Sequence, residues 1–187
     1  MSNAYSELVA RISGGEALTR DEAQSLLSTE DGQDFALIEA ASALRRQEFR
    51  NVIAIHTEDE ELAEALGTRS ISIDSYEILD ISQDIDSHEL ADRMVALGAG
   101  KPTGITVKLP QQAVPMTLMR ILSVLRLAAP DKVIHLPEGY EESLRSLASL
   151  AMHIVSAITI TDDIERWPLV NETLKALRHG GIVIAGS

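Results

Sequence analysis

The chain has 187 residues, 45% apolar and 24% charged, with six prolines, which describes one folded domain with at most a helical appendage. Sixteen Lys and Arg against 29 Asp and Glu leave a net charge of −13, so a phosphate backbone is repelled and nucleic-acid binding is excluded. There is no cysteine, which removes disulfides, thiolate zinc sites, cysteine nucleophiles and cysteine-ligated iron–sulfur clusters together.

No apolar run approaches the ~18–20 residues that span a bilayer, and the start carries no basic-then-apolar signal pattern, so no membrane association and a cytoplasmic location are expected. The first fifty residues read as helical. Thr19-Arg20-Asp21-Glu22 is a capping box that opens a helix from Arg20 to Ser28. Asp31-Gly32 breaks it, Asp34 is a candidate cap for the next helix, and Phe35, Leu37, Ile38, Ala41 and Leu44 form the apolar stripe of a helix reaching Phe49.

After Asn51, short β-branched runs alternate with helical patterns. Strands are predicted at Val52–His56, Ser70–Asp74, Ile78–Ser82, Gly104–Leu109, Lys132–Leu136, Ile154–Ile160 and Gly181–Ala185. Helices are predicted at Glu60–Leu66, Ser87–Leu97, Val114–Ala128, Tyr140–Ala151 and Trp167–Arg178. Such alternation implies a mostly parallel sheet with right-handed crossovers. A complete eightfold barrel takes about 250 residues, so the choice is an open sheet or a shortened barrel. In Val114–Ala128 polar residues recur only at Thr117, Arg120, Ser123 and Arg126, a narrow stripe that predicts a helix covered on most sides. A helical segment over 1–50 packed on a β/α unit over 51–187 is the expected organisation, as one structural domain.

In parallel β/α folds, functional side chains gather at the C-terminal ends of strands, where the loops converge. Those ends supply His56 and Thr57, Asp74 with Ser75 and Tyr76, Lys108, His135 with Glu138, and Thr159 with Thr161, Asp162 and Asp163. The ligand-binding candidates are His56, Asp74, Lys108, His135, Glu138 and Thr161. Histidines and carboxylates together suit a metal site or an acid/base pair. No HxH or HExxH spacing supports a metal, however, and a histidine inside a strand is more often a hydrogen-bonded core residue, so no metal site is assigned. Gly98-Ala99-Gly100-Lys101-Pro102-Thr103 is no phosphate loop, because Val95 stands where its first glycine belongs and Pro102 follows the lysine. Neither GxSxG nor a dinucleotide-binding GxGxxG is present.

The run Glu7-Leu8-Val9-Ala10-Arg11-Ile12-Ser13-Gly14-Gly15-Glu16-Ala17-Leu18-Thr19-Arg20-Asp21-Glu22-Ala23, the helix through Ala40–Arg46 and the strand Asn51–His56 resemble the N-terminal region of biotin synthase-like radical S-adenosylmethionine enzymes. Ile105–Pro110, Met119–Pro130 and Val133–Gly139 are similar to the biotin and thiamine synthesis-associated region that closes the same barrel, with His135 standing where that family places an interior arginine. The matching blocks cover roughly 7–57 and 104–187, with the central barrel strands compressed into 58–103. The resemblance implies a shortened or incomplete TIM-type β/α barrel with mostly parallel strands and an N-terminal helical pair. In the family, the first strand leads into a CxxxCxxC loop that holds a 4Fe–4S cluster. Here that stretch reads Thr57-Glu58-Asp59-Glu60-Glu61-Leu62-Ala63-Glu64, so no iron–sulfur cluster is expected and radical chemistry by the family's route is excluded.

Two readings follow. One is a cluster-free, non-catalytic relative that acts as an accessory, regulatory or small-molecule-binding protein, either as a homodimer or beside a larger enzyme subunit. The other is a small metal- or acid/base-dependent enzyme with its site at the strand ends. The cofactor, if there is one, is not identified by the residues.

Overall fold

A computed structural model describes residues 3–29, 32–81, 86–161 and 167–185. Three helices precede the sheet, α1 Asn3–Ser13, α2 Arg20–Leu27 and α3 Asp34–Phe49, so the expected helical pair has a third member. Tyr5, Val9 and Ile12 of α1 are buried in the same core as the sheet. The capping box of α2 forms as read: Thr19 N–H donates to Glu22 Oε2 at 2.9 Å and Glu22 N–H to Thr19 Oγ1 at 3.3 Å. Asp34 is not a cap. It is the first residue of α3, and its buried carboxylate accepts from Arg120 Nε at 2.7 Å and Nη2 at 3.0 Å.

The strands are β1 Val52–His56, β2 Glu77–Asp80, β3 Gly104–Lys108, β4 Val133–Leu136, β5 Ala157–Thr159 and β6 Val183–Ile184. Between them lie α4 Glu60–Ala65, α5 Ser87–Ala99, α6 Pro115–Ala128, α7 Tyr140–Leu144, α8 Ala148–Ala151 and α9 Trp167–His179. Every pairing is parallel, and the order is β2-β3-β4-β5-β1-β6. A barrel would seat β1 beside β2. Here β1 lies between β5 and β6, and among the described residues no pairing joins the two ends, so this is an open α/β sheet and barrel closure is not observed.

One face of the sheet is aliphatic. Ile53, Ile55, Leu79, Ile105, Val107, Ile134, Leu136 and Ile158 are fully buried in one core with Leu37 and Leu44 of α3 and Leu118, Leu122 and Leu125 of α6. The helix α6 is the hub: it packs on α3, α5, α2 and α7, which accounts for its wide apolar surface within this chain. Its polar stripe faces solvent only at its start: Thr117 is exposed and Arg120 half-buried, whereas Ser123 and Arg126 are fully buried. Gly98 allows α5 to close on it, because a Cβ there would lie 1.9 Å from the Ala128 carbonyl oxygen.

Two buried arginines tie the helices to the N-terminal ends of the strands. Arg126 donates to the carbonyls of Ile154 at 2.9 Å and Lys132 at 2.8 Å and to Ser156 Oγ at 3.0 Å. Arg45 donates to Val155 O at 3.1 Å, Arg50 O at 2.7 Å and Val52 O at 2.6 Å. These bonds give the carbonyls at the strand entries a buried donor.

Several predicted elements change. Ser70–Asp74 is not a strand, because β6 already occupies that side of β1, with Val183 N–H on Asn51 O and Ala185 N–H on Ile53 O. The segment keeps one backbone bond to the strand, from Ile71 N–H to Ile55 O at 2.9 Å. The strand expected at Ile78–Ser82 is Glu77–Asp80, with Ser82 outside the described residues, and those expected at Ile154–Ile160 and Gly181–Ala185 shrink to Ala157–Thr159 and Val183–Ile184. The helix expected over Tyr140–Ala151 is broken by a 3₁₀ turn at Arg145–Leu147, where Arg145 takes φ 51°. No described helix is long and apolar enough to cross a membrane.

Candidate functional site

The second face of the sheet is polar where the first is aliphatic. Register places Thr106 on β3, His135 on β4, Ala157 on β5 and Ala54 on β1 at one level of this face. One step further along the strands come Asp80, Lys108, Thr159 and His56. His135 is fully buried, with Nδ1 3.1 Å from Thr106 Oγ1 and Nε2 2.8 Å from Thr159 Oγ1. A hydroxyl can donate or accept, so both nitrogens are satisfied in either neutral tautomer. The His56 ring stands edge-on to it with centroids 6.2 Å apart, and the Tyr76 ring does so at 6.3 Å. His56 Nδ1–H donates to Ile71 O at 2.8 Å, which leaves the lone pair of the neutral ring on Nε2.

Burial, and secondarily the nearby His56, push His135 down to about 4, so it is neutral at pH 7. Burial raises the Tyr76 phenol. This layer therefore offers hydrogen bonds rather than charge. A segment from Thr68 to Tyr76 crosses the polar face: Ile71 bonds β1, while the Tyr76 ring lies on Gly104 of β3, where a Cβ would come within 2.6 Å of it. Glycine at 104 is what makes room for the ring.

Beside this layer a cleft of about 370 Å³ opens at the C-terminal ends of β3 and β4, lined by Lys108, Gln111, Glu138, Glu142 and Ser143. The sequence candidates thus divide. Lys108 and Glu138 share the cleft, and His56 and His135 share the layer beneath the crossing segment. Asp74 is exposed on that segment, where its carboxylate accepts from Ser72 Oγ at 3.1 Å, and Thr161 is half-buried just past β5, outside the cleft lining. Asp162 and Asp163 lie outside the described residues. Thr106 was missed; its signal is the polar i, i+2 pair with Lys108 inside an apolar strand.

Among the described residues no group of three His, Asp or Glu side chains is placed to hold a metal ion. The loop after β1 does not fit an iron–sulfur cluster either. It offers no thiolate, and Asp59 is committed to capping α4, accepting from Glu61 N–H at 2.8 Å and Leu62 N–H at 3.0 Å.

No protein-family profile matches the chain. A biotin synthase from Kocuria rhizophila is 41% identical to it over 51 residues, 27% of this chain and 11% of that enzyme. The match spans about a tenth of the relative's length, and it supports a local likeness to biotin synthase.

Proposed function

We propose that the protein is a cluster-free relative of biotin synthase-like radical S-adenosylmethionine enzymes that binds a small polar molecule at the C-terminal ends of its strands and serves an accessory or regulatory role. One observation carries the reading: a buried, neutral histidine held by two threonines and faced by His56 and Tyr76, on a sheet face that packing alone would fill with aliphatic side chains. Lys108 and Glu138 at the neighbouring cleft supply the charged end of such a site.

Thermal unfolding against a metabolite panel that includes S-adenosylmethionine tests it. A ligand at a hundred times its dissociation constant adds about 2.7 kcal/mol, well within detection. The expected shift disappears in His135→Leu or Lys108→Met; a panel with no shift against the wild type overturns the reading. Anaerobic reconstitution with iron and sulfide should leave the protein colourless, and stoichiometric iron with sulfide charge-transfer absorbance would contradict the cluster-free assignment.

The enzyme alternative draws on the Nε2 lone pair of His56 as a base. Turnover of any panel compound, lost in His56→Gln, would favour it. The accessory role also calls for assembly, as a homodimer or with a larger enzyme subunit. Since α6 is covered from within the chain, that assembly has the sheet ends to use, where Ile78 is 51% and Val183 53% exposed.

A further inference from the structure

The segment between α4 and β2 is fixed at Ser70–Ile71 and at Glu77, which pairs with Ile105, and is loose between them. Thr57 N–H donates to Ser70 Oγ at 2.9 Å, and Ser70 Oγ–H donates to Thr57 O at 2.7 Å. Ile71 is bonded through both backbone groups, its N–H to Ile55 O and its carbonyl to His56 Nδ1. Beyond it the bonds turn local: Ser72 Oγ–H to Asp74, Asp74 N–H back to Ser72 Oγ, and Tyr76 N–H to Ile73 O at 3.0 Å. Tyr76 leads straight into β2, where Glu77 pairs with Ile105, and between that anchor and Ile71 the segment meets the polar face through half-buried Ile73 and the Tyr76 ring on Gly104 and against His135.

We propose that residues 72–76 form a gate over the His135 layer, an arch hinged at Ser70–Ile71 and at the entry to β2 and latched by the Tyr76 ring in the space that Gly104 leaves. The gate regulates access to the site proposed above and rests on that reading. Three observations support it. His135 is fully buried although its neighbours at this level of the face are only Thr106, Ala157 and Ala54, small side chains that cannot cover it. The covering segment alternates half-buried Ile71 and Ile73 with exposed Ser70, Ser72 and Asp74, so its apolar contact with the sheet is small. The latch is a single ring seated where any side chain on residue 104 would collide with it.

The test needs no ligand. In Gly104→Ala the new methyl displaces Tyr76; Tyr76→Ala removes the ring; Tyr76→Phe keeps it. NMR titration of the His135 ring should move its midpoint from about 4 toward the ordinary value near 6.5 in the first two variants and leave it in place in Tyr76→Phe. Exchange of the amide at position 76, which donates to Ile73 O, should rise by about tenfold or more in the same two variants. If both open variants unfold cooperatively yet keep His135 at its wild-type midpoint, the gate is overturned. If Gly104→Ala is poorly folded, Tyr76→Ala decides between the outcomes. A panel with no binding to wild type or variants would sink the site while the titration still reported on the gate; binding unchanged in rate by Gly104→Ala would sink the gate and spare the site.

Discussion

Arg126 has no accessible surface, and its guanidinium meets carbonyls, one serine hydroxyl and the Phe49 ring at 4.9 Å, without a carboxylate. Burial lowers it to about 9, so it stays charged at neutral pH, and its value to the fold is that all three of its nitrogens donate to buried acceptors. Arg126→Met should therefore cost at least about 3 kcal/mol in urea unfolding, with Arg126→Lys between it and the wild type because one ammonium cannot span Ile154 and Lys132 together. His135 gives a pH signature of opposite character. Its folded value of about 4 lies below the unfolded one near 6.5, so between these limits the unfolded chain binds more protons and stability rises with pH. Stability is full above about pH 6.5 and is lost as pH falls toward 4. Relative to His135→Gln, the wild type should lose about 3 kcal/mol across that window, read by denaturant midpoints at each pH. Equal slopes in the two proteins would show that His135 is not held neutral.

At the scale of elements, α5 and α6 meet through Gly98. A Cβ would fall 1.9 Å from Ala128 O, a backbone atom that cannot rotate away, so Gly98→Ala should destabilise by about 3 kcal/mol, more than a helix glycine-to-alanine change would otherwise gain. A variant as stable as the wild type would mean that the two helices separate freely. What was legible in the sequence follows the range of the forces involved. The capping box at Thr19 and the alternation of strands with helices are local, and they could be read from spacing. Lys108 and Glu138 meeting at one cleft followed from the rule that strand ends converge. The strand expected at Ser70–Asp74 failed because β6, more than a hundred residues away, takes that side of β1. Asp34 looked like a cap because its partner, Arg120, lies on another helix. The buried role of Arg126, read only as part of a narrow polar stripe, was not legible because nothing nearby in sequence shows that Ile154 and Ser156 come to meet it.

For the whole molecule, the open sheet leaves two ends with different chemistry. The β2 end carries Glu77 and Asp80, and two copies pairing there would oppose acid to acid, the arrangement by which edge strands resist self-association. At the other end Val183 and Val52 are paired in register on one face, 53% and 36% exposed, beside a strand of only two residues. A second copy is therefore expected to meet the first at β6, where apolar surface is available and the guarding acids of β2 are far along the strand order. Each chain brings a net charge of −13, so this association has to overcome long-range repulsion, which salt screens: the Debye length is about 10 Å at 0.1 M and about 3 Å at 1 M. Sedimentation equilibrium should then show dimer increasing as salt is raised. Val183→Lys would place a charge in the contact and should abolish dimer at every salt concentration, whereas Ile78→Lys on the β2 end should leave it unchanged. A wild-type protein that stays monomeric from low to high salt would confine the accessory role to a different partner chain, and a dimer lost only in Ile78→Lys would move the contact to β2.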